Sequence, residues 1–238
     1  MIGVIGGTHL LETGILEDKK EFELQTPFGV AEVDLGLLSS IKVALIQRHG
    51  RKKDKPPHKI NHRANFYALK SLGVRRVIAM GSAGCLREDI EIPAIMIPHD
   101  YIDFFSGTTV FNDSLIYITP SFDERIRKVL IEAARRVSSL PVIDKGVYFQ
   151  TRGPRLETKA EIAMMKNFAD CVGMTAGSEA TVAKELGLEY AIICTIDNYA
   201  HGIKGVNTNY EDIIKKAKEN AKNCIEIVKE AIRILSKI

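Results

Sequence analysis

Four short stretches pair small residues with a hydroxyl or a cation directly after an apolar run. They are Gly6-Gly7-Thr8, Arg48-His49-Gly50, Gly81-Ser82-Ala83-Gly84 and Met174-Thr175-Ala176-Gly177-Ser178-Glu179-Ala180. Their shared chemistry is that of an oxyanion site. The last stretch leads from a strand-like Cys171-Val172-Gly173 into a helix predicted over Glu179 to Leu186. The first N–H groups of a helix have no internal partners, and the helix dipole favours negative charge beside them. Arg48 next to His49 suits bidentate recognition of phosphate, and the same pair could equally form a salt bridge at a pocket rim. Gly81 to Gly84 could turn backbone N–H groups around an oxyanion. Thr8 offers a hydroxyl at the carboxyl end of a strand, where open α/β sheets bind ligands, or serves as a helix cap. The glycine spacing in the first stretch is not that of a dinucleotide fingerprint.

These stretches need strand ends to hold them, and the chain supplies such ends. Strands are predicted at Met1 to Ile5, at a hairpin of Phe22 to Leu24 and Gly29 to Leu35, and at Lys42 to Gln47, Val74 to Met80, Ile95 to Pro98, Gly146 to Thr151 and Tyr190 to Ile196. Between them lie helices: a short one at Leu10 to Leu16, then Arg63 to Ser71, Asp123 to Val137, Lys159 to Phe168, Glu179 to Leu186 and the long Asp212 to Leu235. His99 to Asp103 reads as a loop, and Phe104 to Asp113 as irregular, a rim or a subunit contact. Alternation of strand and helix with no linker or repeat predicts one α/β domain over residues 1–238.

Composition narrows the function classes. With 45% hydrophobic and 26% charged residues the 238-residue chain is that of a soluble globular protein. A net charge of +3 gives no case for nucleic-acid binding, and the basic run Arg51-Lys52-Lys53-Asp54-Lys55 reads as a solvated loop or as a steering patch for anions. The cysteines, Cys85, Cys171, Cys194 and Cys224, lack metal-ligand spacing and fit a reducing cytoplasm. Neither a signal peptide nor a membrane span is expected.

Taken together, these motifs resemble the trimeric nucleoside phosphorylases, in the branch of purine nucleoside phosphorylase and methylthioadenosine or methylthioinosine phosphorylase. The resemblance rests on Gly6-Gly7-Thr8, on Arg48-His49-Gly50 with Pro57-His58-x-Ile60-Asn61-x-Arg63-Ala64-Asn65, on Gly81-Ser82-Ala83-Gly84, on Gly153-Pro154-Arg155 with Glu157-Thr158, and on Met174-Thr175 with Glu179-Ala180. It implies a central mixed sheet flanked by helices. It implies phosphate held by Thr8, Arg48, His49, Ser82, Ala83 and Thr175, Met174 packed under a ribose, and a purine facing Asp197 to Tyr199. A homotrimer is implied, with a hexamer as the alternative. The co-substrate is inorganic phosphate, and no metal or organic cofactor is implied.

The substrate reading turns on hydrogen-bond polarity. An Asp facing purine N7 and the exocyclic position suits adenine. An Asn suits a 6-oxopurine, donating to O6 and accepting the proton on N7. Asp197 and Asn198 are adjacent; counting from the strand before them aligns Asn198 with the base-facing asparagine, the group that would assist departure of the base. The methylthioadenosine enzymes have Asp-x-Asp, and Tyr199 stands in place of the second acid. Glu157 would accept from N1–H of a 6-oxopurine, or is simply an acid near a helix N-terminus. The chain departs from the family pattern in having Ser178, read as a helix N-cap, for the usual Pro, and in lacking Thr-x-x-Arg after Asp103. Near Asn209 and Tyr210 it has no His for a 5′ hydroxyl, which admits a methylthio group. The expectation is therefore a pentosyltransferase of purine salvage. It would phosphorolyse inosine, guanosine or 5′-methylthioinosine to the free base and ribose 1-phosphate or its 5-methylthio analogue. The alternative is an adenine-specific methylthioadenosine phosphorylase with Asp197 as the base contact; a nucleosidase and a binding module are the remaining readings.

Overall fold

A computed structural model describes residues 1–7, 14–207 and 209–238, without the side chain of Tyr210. Thr8 and most of the short helix expected from Leu10 lie outside the described residues, and 14–16 are irregular. The strands are β1 (Ile2–Gly6), β2 (Glu17–Thr26), β3 (Gly29–Leu38), β4 (Ile41–Gln47), β5 (Arg76–Cys85), β6 (Ala94–Met96), β7 (Asp100–Asp103), β8 (Val142–Ile143), β9 (Val147–Gln150), β10 (Cys171–Gly173) and β11 (Glu189–Tyr199). The helices are α1 (His62–Ser71), α2 (Glu124–Val137), α3 (Lys159–Met165), α4 (Ala176–Glu185) and α5 (Tyr210–Leu235). The strands form one mixed sheet in the order β2-β3-β4-β1-β5-β10-β9-β7, with β11, β6 and β8 branching from β5.

The core follows from the two-residue period of the strands. In β5, Val77 and Ala79 join one buried cluster while Ile78 and Met80 join another. In β11, Tyr190, Ile192, Cys194 and Ile196 face the first, and Ala191 and Ile193 the second. Helices α1 and α4 cover the first face through Phe66, Leu69, Val182 and Ala183. Helices α2 and α5 cover the other through Ile126, Leu130, Ile227, Val228 and Ile232. A third cluster sets Ile162 and Met165 of α3 against Phe149 and Val172.

Three local differences from the sequence expectation bear on function. Gly81 to Gly84 is no loop: β5 runs on to Cys85 because β11 pairs with it in parallel from Arg76↔Glu189 to Cys85↔Tyr199. Asp100 to Asp103 is a strand, paired with β9. Helix α4 begins at Ala176, three residues before Glu179, and Thr175 is its N-cap position; Ser178 is inside the helix. Small residues there permit close packing. A Cβ on Gly177 would meet Tyr101 Cδ2 at 3.0 Å.

Candidate active site

The sheet changes partners at one place. On one edge of β5, β1 pairs as far as Met80 and antiparallel β10 begins at Gly84, so Gly81, Ser82 and Ala83 have no strand against that edge. A cavity of about 690 Å³ opens there. Its walls come from Gly7 after β1, Arg48 and His49 after β4, Gly81 to Gly84 of β5, Val172 to Thr175 at the end of β10, Pro154, Leu156 and Glu157, Asn198 of β11, His201 just after it, and Ile213, Ile214 and Ala217 of α5. This is the carboxyl end of parallel strands β1, β4, β5 and β11, the usual ligand crevice of α/β sheets.

At one end stands Arg48, buried and held on three sides. Its Nε donates to Glu179 Oε1 at 2.7 Å, Nη2 to Oε2 at 3.0 Å, and Nη1 to the Met80 carbonyl at 2.6 Å. The alternative of a salt bridge at a rim gives way to a deep ion pair, and Arg48 still lines the cavity. Glu179 is fully buried and also accepts from the Tyr190 hydroxyl at 2.7 Å. Burial works to raise the Glu179 pKa, but the Arg48 guanidinium holds it below the ordinary carboxylate value. The same carboxylate, with burial, pushes Tyr190 far up. His62 is buried behind the pair, its Nδ1 3.9 Å from Glu179 Oε1 and without a hydrogen bond. Burial drops its pKa from 6.5 to about 4, so it is neutral near pH 7. His49 lies at the cavity wall with Nδ1 2.8 Å from the Lys55 carbonyl, which places a hydrogen on Nδ1.

The helix N-terminus does not present free amides to the cavity, contrary to expectation. Gln150 Oε1 accepts from Gly177 N at 2.6 Å and Ser178 N at 3.1 Å, and the Tyr148 hydroxyl takes Thr175 N at 3.2 Å. Gln150 Nε2 in turn donates to Ser178 Oγ at 2.6 Å. Thr175 makes no side-chain cap bond and stays at the cavity wall.

The adjacent acid and amide are separated by a β-bulge in β11. Ile196 pairs with Ala83 and Asn198 with Gly84, leaving Asp197 as the extra residue. The Asp197 carboxylate is buried and accepts three hydrogen bonds: Oδ2 from Ser82 Oγ at 2.9 Å and Thr195 Oγ1 at 2.6 Å, and Oδ1 from Asn220 Nδ2 of α5 at 2.6 Å. Asp197 does not line the cavity, whereas Asn198 does. Asn198 Nδ2 donates to the Tyr199 carbonyl at 3.0 Å, which leaves a second N–H and Oδ1 for a ligand. Tyr199 lies off the cavity, its hydroxyl donating to the Ile90 carbonyl.

Glu157 lines the cavity and accepts at Oε1 from Thr151 at 2.6 Å. Met174 lies across from it, its sulfur packed against Gly153. Asn209 is the N-cap of α5, Oδ1 accepting from Asp212 N, and does not line the cavity. Of the residues singled out from sequence, Arg48, His49, Ser82, Ala83, Glu157, Met174, Thr175 and Asn198 gather on one cavity. Asp197, Tyr199 and Asn209 do not reach it. Sequence reasoning missed Gln150, Asn220 and the wall of Ile213, Ile214 and Ala217. The last had a signal: the apolar stripe of α5 continues N-terminally past what the sheet needs.

Comparison with known proteins agrees with this geometry. The family model described as "Phosphorylase superfamily" matches residues 1–233. A probable 6-oxopurine nucleoside phosphorylase of Archaeoglobus fulgidus is 67% identical over 98% of this chain and 96% of its own length. A probable S-methyl-5′-thioinosine phosphorylase of Methanocaldococcus jannaschii is 37% identical over 98% of this chain and 92% of its own length. The methylthioadenosine phosphorylase of Schistosoma mansoni in complex with adenine superimposes with a TM-score of 0.91 at 25% identity, covering 100% of this chain and 92% of that one. With a matched family model over almost its whole length, the chain belongs to the phosphorylase superfamily.

Proposed function

We propose that the protein is a 6-oxopurine nucleoside phosphorylase, taking inosine-type nucleosides and inorganic phosphate to free base and ribose 1-phosphate. The observation that carries this reading is the split between Asp197 and Asn198. The carboxylate that would suit adenine is consumed by Ser82, Thr195 and Asn220, while the amide faces the cavity. Glu157 on the same wall is matched to a purine N1–H. An adenine N1 lone pair facing it would cost about 1–3 kcal/mol or more. The 67% identical relative is named for 6-oxopurines, which supports the same choice.

In this reading phosphate sits between Arg48, His49, Ser82, Ala83, Thr175 and Gly7, and Met174 lies under the ribose. The sugar gains oxocarbenium character as the base departs, and the phosphate dianion beneath C1′ stabilises and then captures it. Phosphate needs no general base. The protein orients and desolvates it. Asn198 assists the leaving group: its N–H donates to O6, and as negative charge builds on the ring N7 takes a proton from water, whose N–H bond Oδ1 then accepts. No metal or organic cofactor takes part.

The apolar wall of Ile213, Ile214 and Ala217 favours a 5′-methylthio group over a hydroxyl, making 5′-methylthioinosine a substrate beside inosine and guanosine. The protein acts as a cytoplasmic homotrimer. No described helix is long and apolar enough to cross a membrane. Phe104, Phe105, Leu115 and Tyr117 are exposed on a segment without regular structure and supply the subunit contact.

The test is base release from methylthioinosine, inosine, guanosine and methylthioadenosine, each with and without phosphate. Phosphate-dependent release from the 6-oxopurines alone is expected. Fast methylthioadenosine cleavage would overturn the role given to Asn198, and release without phosphate would indicate a nucleosidase.

A further inference from the structure

We propose that Asp197 is a positioning residue that makes Ser82 Oγ a hydrogen-bond acceptor toward the anion, so that the site selects a protonated oxyanion and rejects sulfate. The inference rests on the phosphorolytic reading for which end of the cavity holds the anion. Its own evidence is the polarity of one hydrogen bond.

A serine hydroxyl has one hydrogen and two lone pairs. Ser82 Oγ gives its hydrogen to Asp197 Oδ2 at 2.9 Å. Asp197 is the bulged residue of β11 and its side chain is buried, fixed from behind by Thr195 on Oδ2 and by Asn220 on Oδ1. Asn220 Nδ2 can only donate, which fixes Oδ1 as an acceptor, and the Ser82 and Thr195 hydroxyls both converge on Oδ2. Ser82 itself is exposed on the cavity wall, on the stretch of β5 whose cavity-side edge has no strand against it. It therefore shows lone pairs, not hydrogen, to whatever fills the cavity. Arg48 and Thr175 on the same cavity remain donors.

An oxyanion touching all three must carry hydrogen on one oxygen and bare charge on the others. Both ionised forms of phosphate present near neutral pH have a P–O–H group. Sulfate dianion has none, and its oxygen would face the Ser82 lone pairs. Arsenate is protonated like phosphate, so it separates the effect of the hydrogen from that of size. An unmatched contact of this kind is worth about tenfold to a hundredfold in affinity.

The test is calorimetric titration of the whole protein with phosphate, arsenate and sulfate, beside sulfate inhibition of phosphate-dependent base release. The wild type should bind phosphate and arsenate at least about tenfold more tightly than sulfate. In Asp197→Asn, Asn220 keeps the side-chain oxygen in the Oδ1 position, so the new NH₂ occupies the Oδ2 position and donates to Ser82 Oγ. The serine hydrogen then turns to the cavity, and the preference over sulfate should collapse by about tenfold. If Asp197→Asn does not fold, Ser82→Ala decides, because it removes the acceptor outright and should lose the same preference. Equal wild-type affinity for phosphate and sulfate would overturn the proposal, as would an unchanged ratio in the folded variants. Phosphate-dependent turnover with no anion preference overturns this inference alone. A preserved preference without phosphate-dependent turnover overturns the phosphorolytic reading instead, and binding of neither anion overturns both.

Discussion

Removing Glu179 should be among the most damaging single changes available in this protein, although Glu179 does not itself line the cavity. Its two oxygens accept from Arg48 Nε at 2.7 Å, Arg48 Nη2 at 3.0 Å and the Tyr190 hydroxyl at 2.7 Å. Both members of the pair are about 98% or more buried. Glu179→Ala strands a buried guanidinium with the Met80 carbonyl as its acceptor, and takes from a buried phenol the carboxylate it donates to. Taking one partner from a buried ion pair costs about 3–5 kcal/mol. For a chain of this length each kcal/mol moves the melting temperature by about 2–4 °C, so a fall of about 6–20 °C is expected. Glu179→Gln keeps the shape and one acceptor oxygen and should fall between the two. Phosphate provides the second half of the assay. A dianion beside Arg48 can replace part of the missing carboxylate, so added phosphate should raise the melting temperature of Glu179→Ala more than that of the wild type. Thermal melts of wild type and both variants, with and without phosphate, decide the matter. A Glu179→Ala melting temperature within about 2 °C of wild type would refute the reasoning.

Further outcomes can be checked directly. Asn198→Asp should lower kcat/KM for inosine by about tenfold to a hundredfold and raise it for methylthioadenosine, measured by base release, because a carboxylate cannot donate to O6. Burial holds His62 at about 4 against 6.5 in the open chain, so between those pH values the unfolded chain binds a proton that the folded one does not. Stability should therefore fall by about 3 kcal/mol as pH drops through that window and level off below it, with the slope reduced in His62→Gln; urea titrations at pH 7 and 4.5 measure this. Leu115 and Tyr117 are 90% and 88% exposed, so Leu115→Asp with Tyr117→Ser should shift sedimentation from trimer to monomer without lowering the protomer's helix content.

Much of the frame was legible because buried strands and amphipathic helices carry periodic signals. The spacing of Ile126, Val129, Leu130 and Ala133 puts one face of α2 on the core, and the structure buries all four. The failures share a cause: the deciding partner is remote in sequence. Gly81 to Gly84 has no strand-forming side chains, and β5 continues through it because β11 runs alongside. The start of α4 looked like a set of free amides, but Gln150, 27 and 28 residues away, takes two of them. Glu179 stood in a recognised motif, yet nothing local says that its carboxylate belongs to Arg48, 131 residues earlier.

Asp197 and Asn198 show why adjacency alone could not say which of the two lines the cavity. A β-bulge at Asp197 interrupts the strand's alternation, so the pattern alone does not say which of the two faces the cavity. The tie is broken by donors from three other places: Ser82 of β5, Thr195 of β11 and Asn220 of α5. A carboxylate accepts all three as donors, whereas an amide has only one oxygen to accept with. The buried position therefore selects the acid, and the amide is left for the cavity. Which of the two side chains lines the cavity thus follows from how the C-terminal helix is fastened to the strand beneath it.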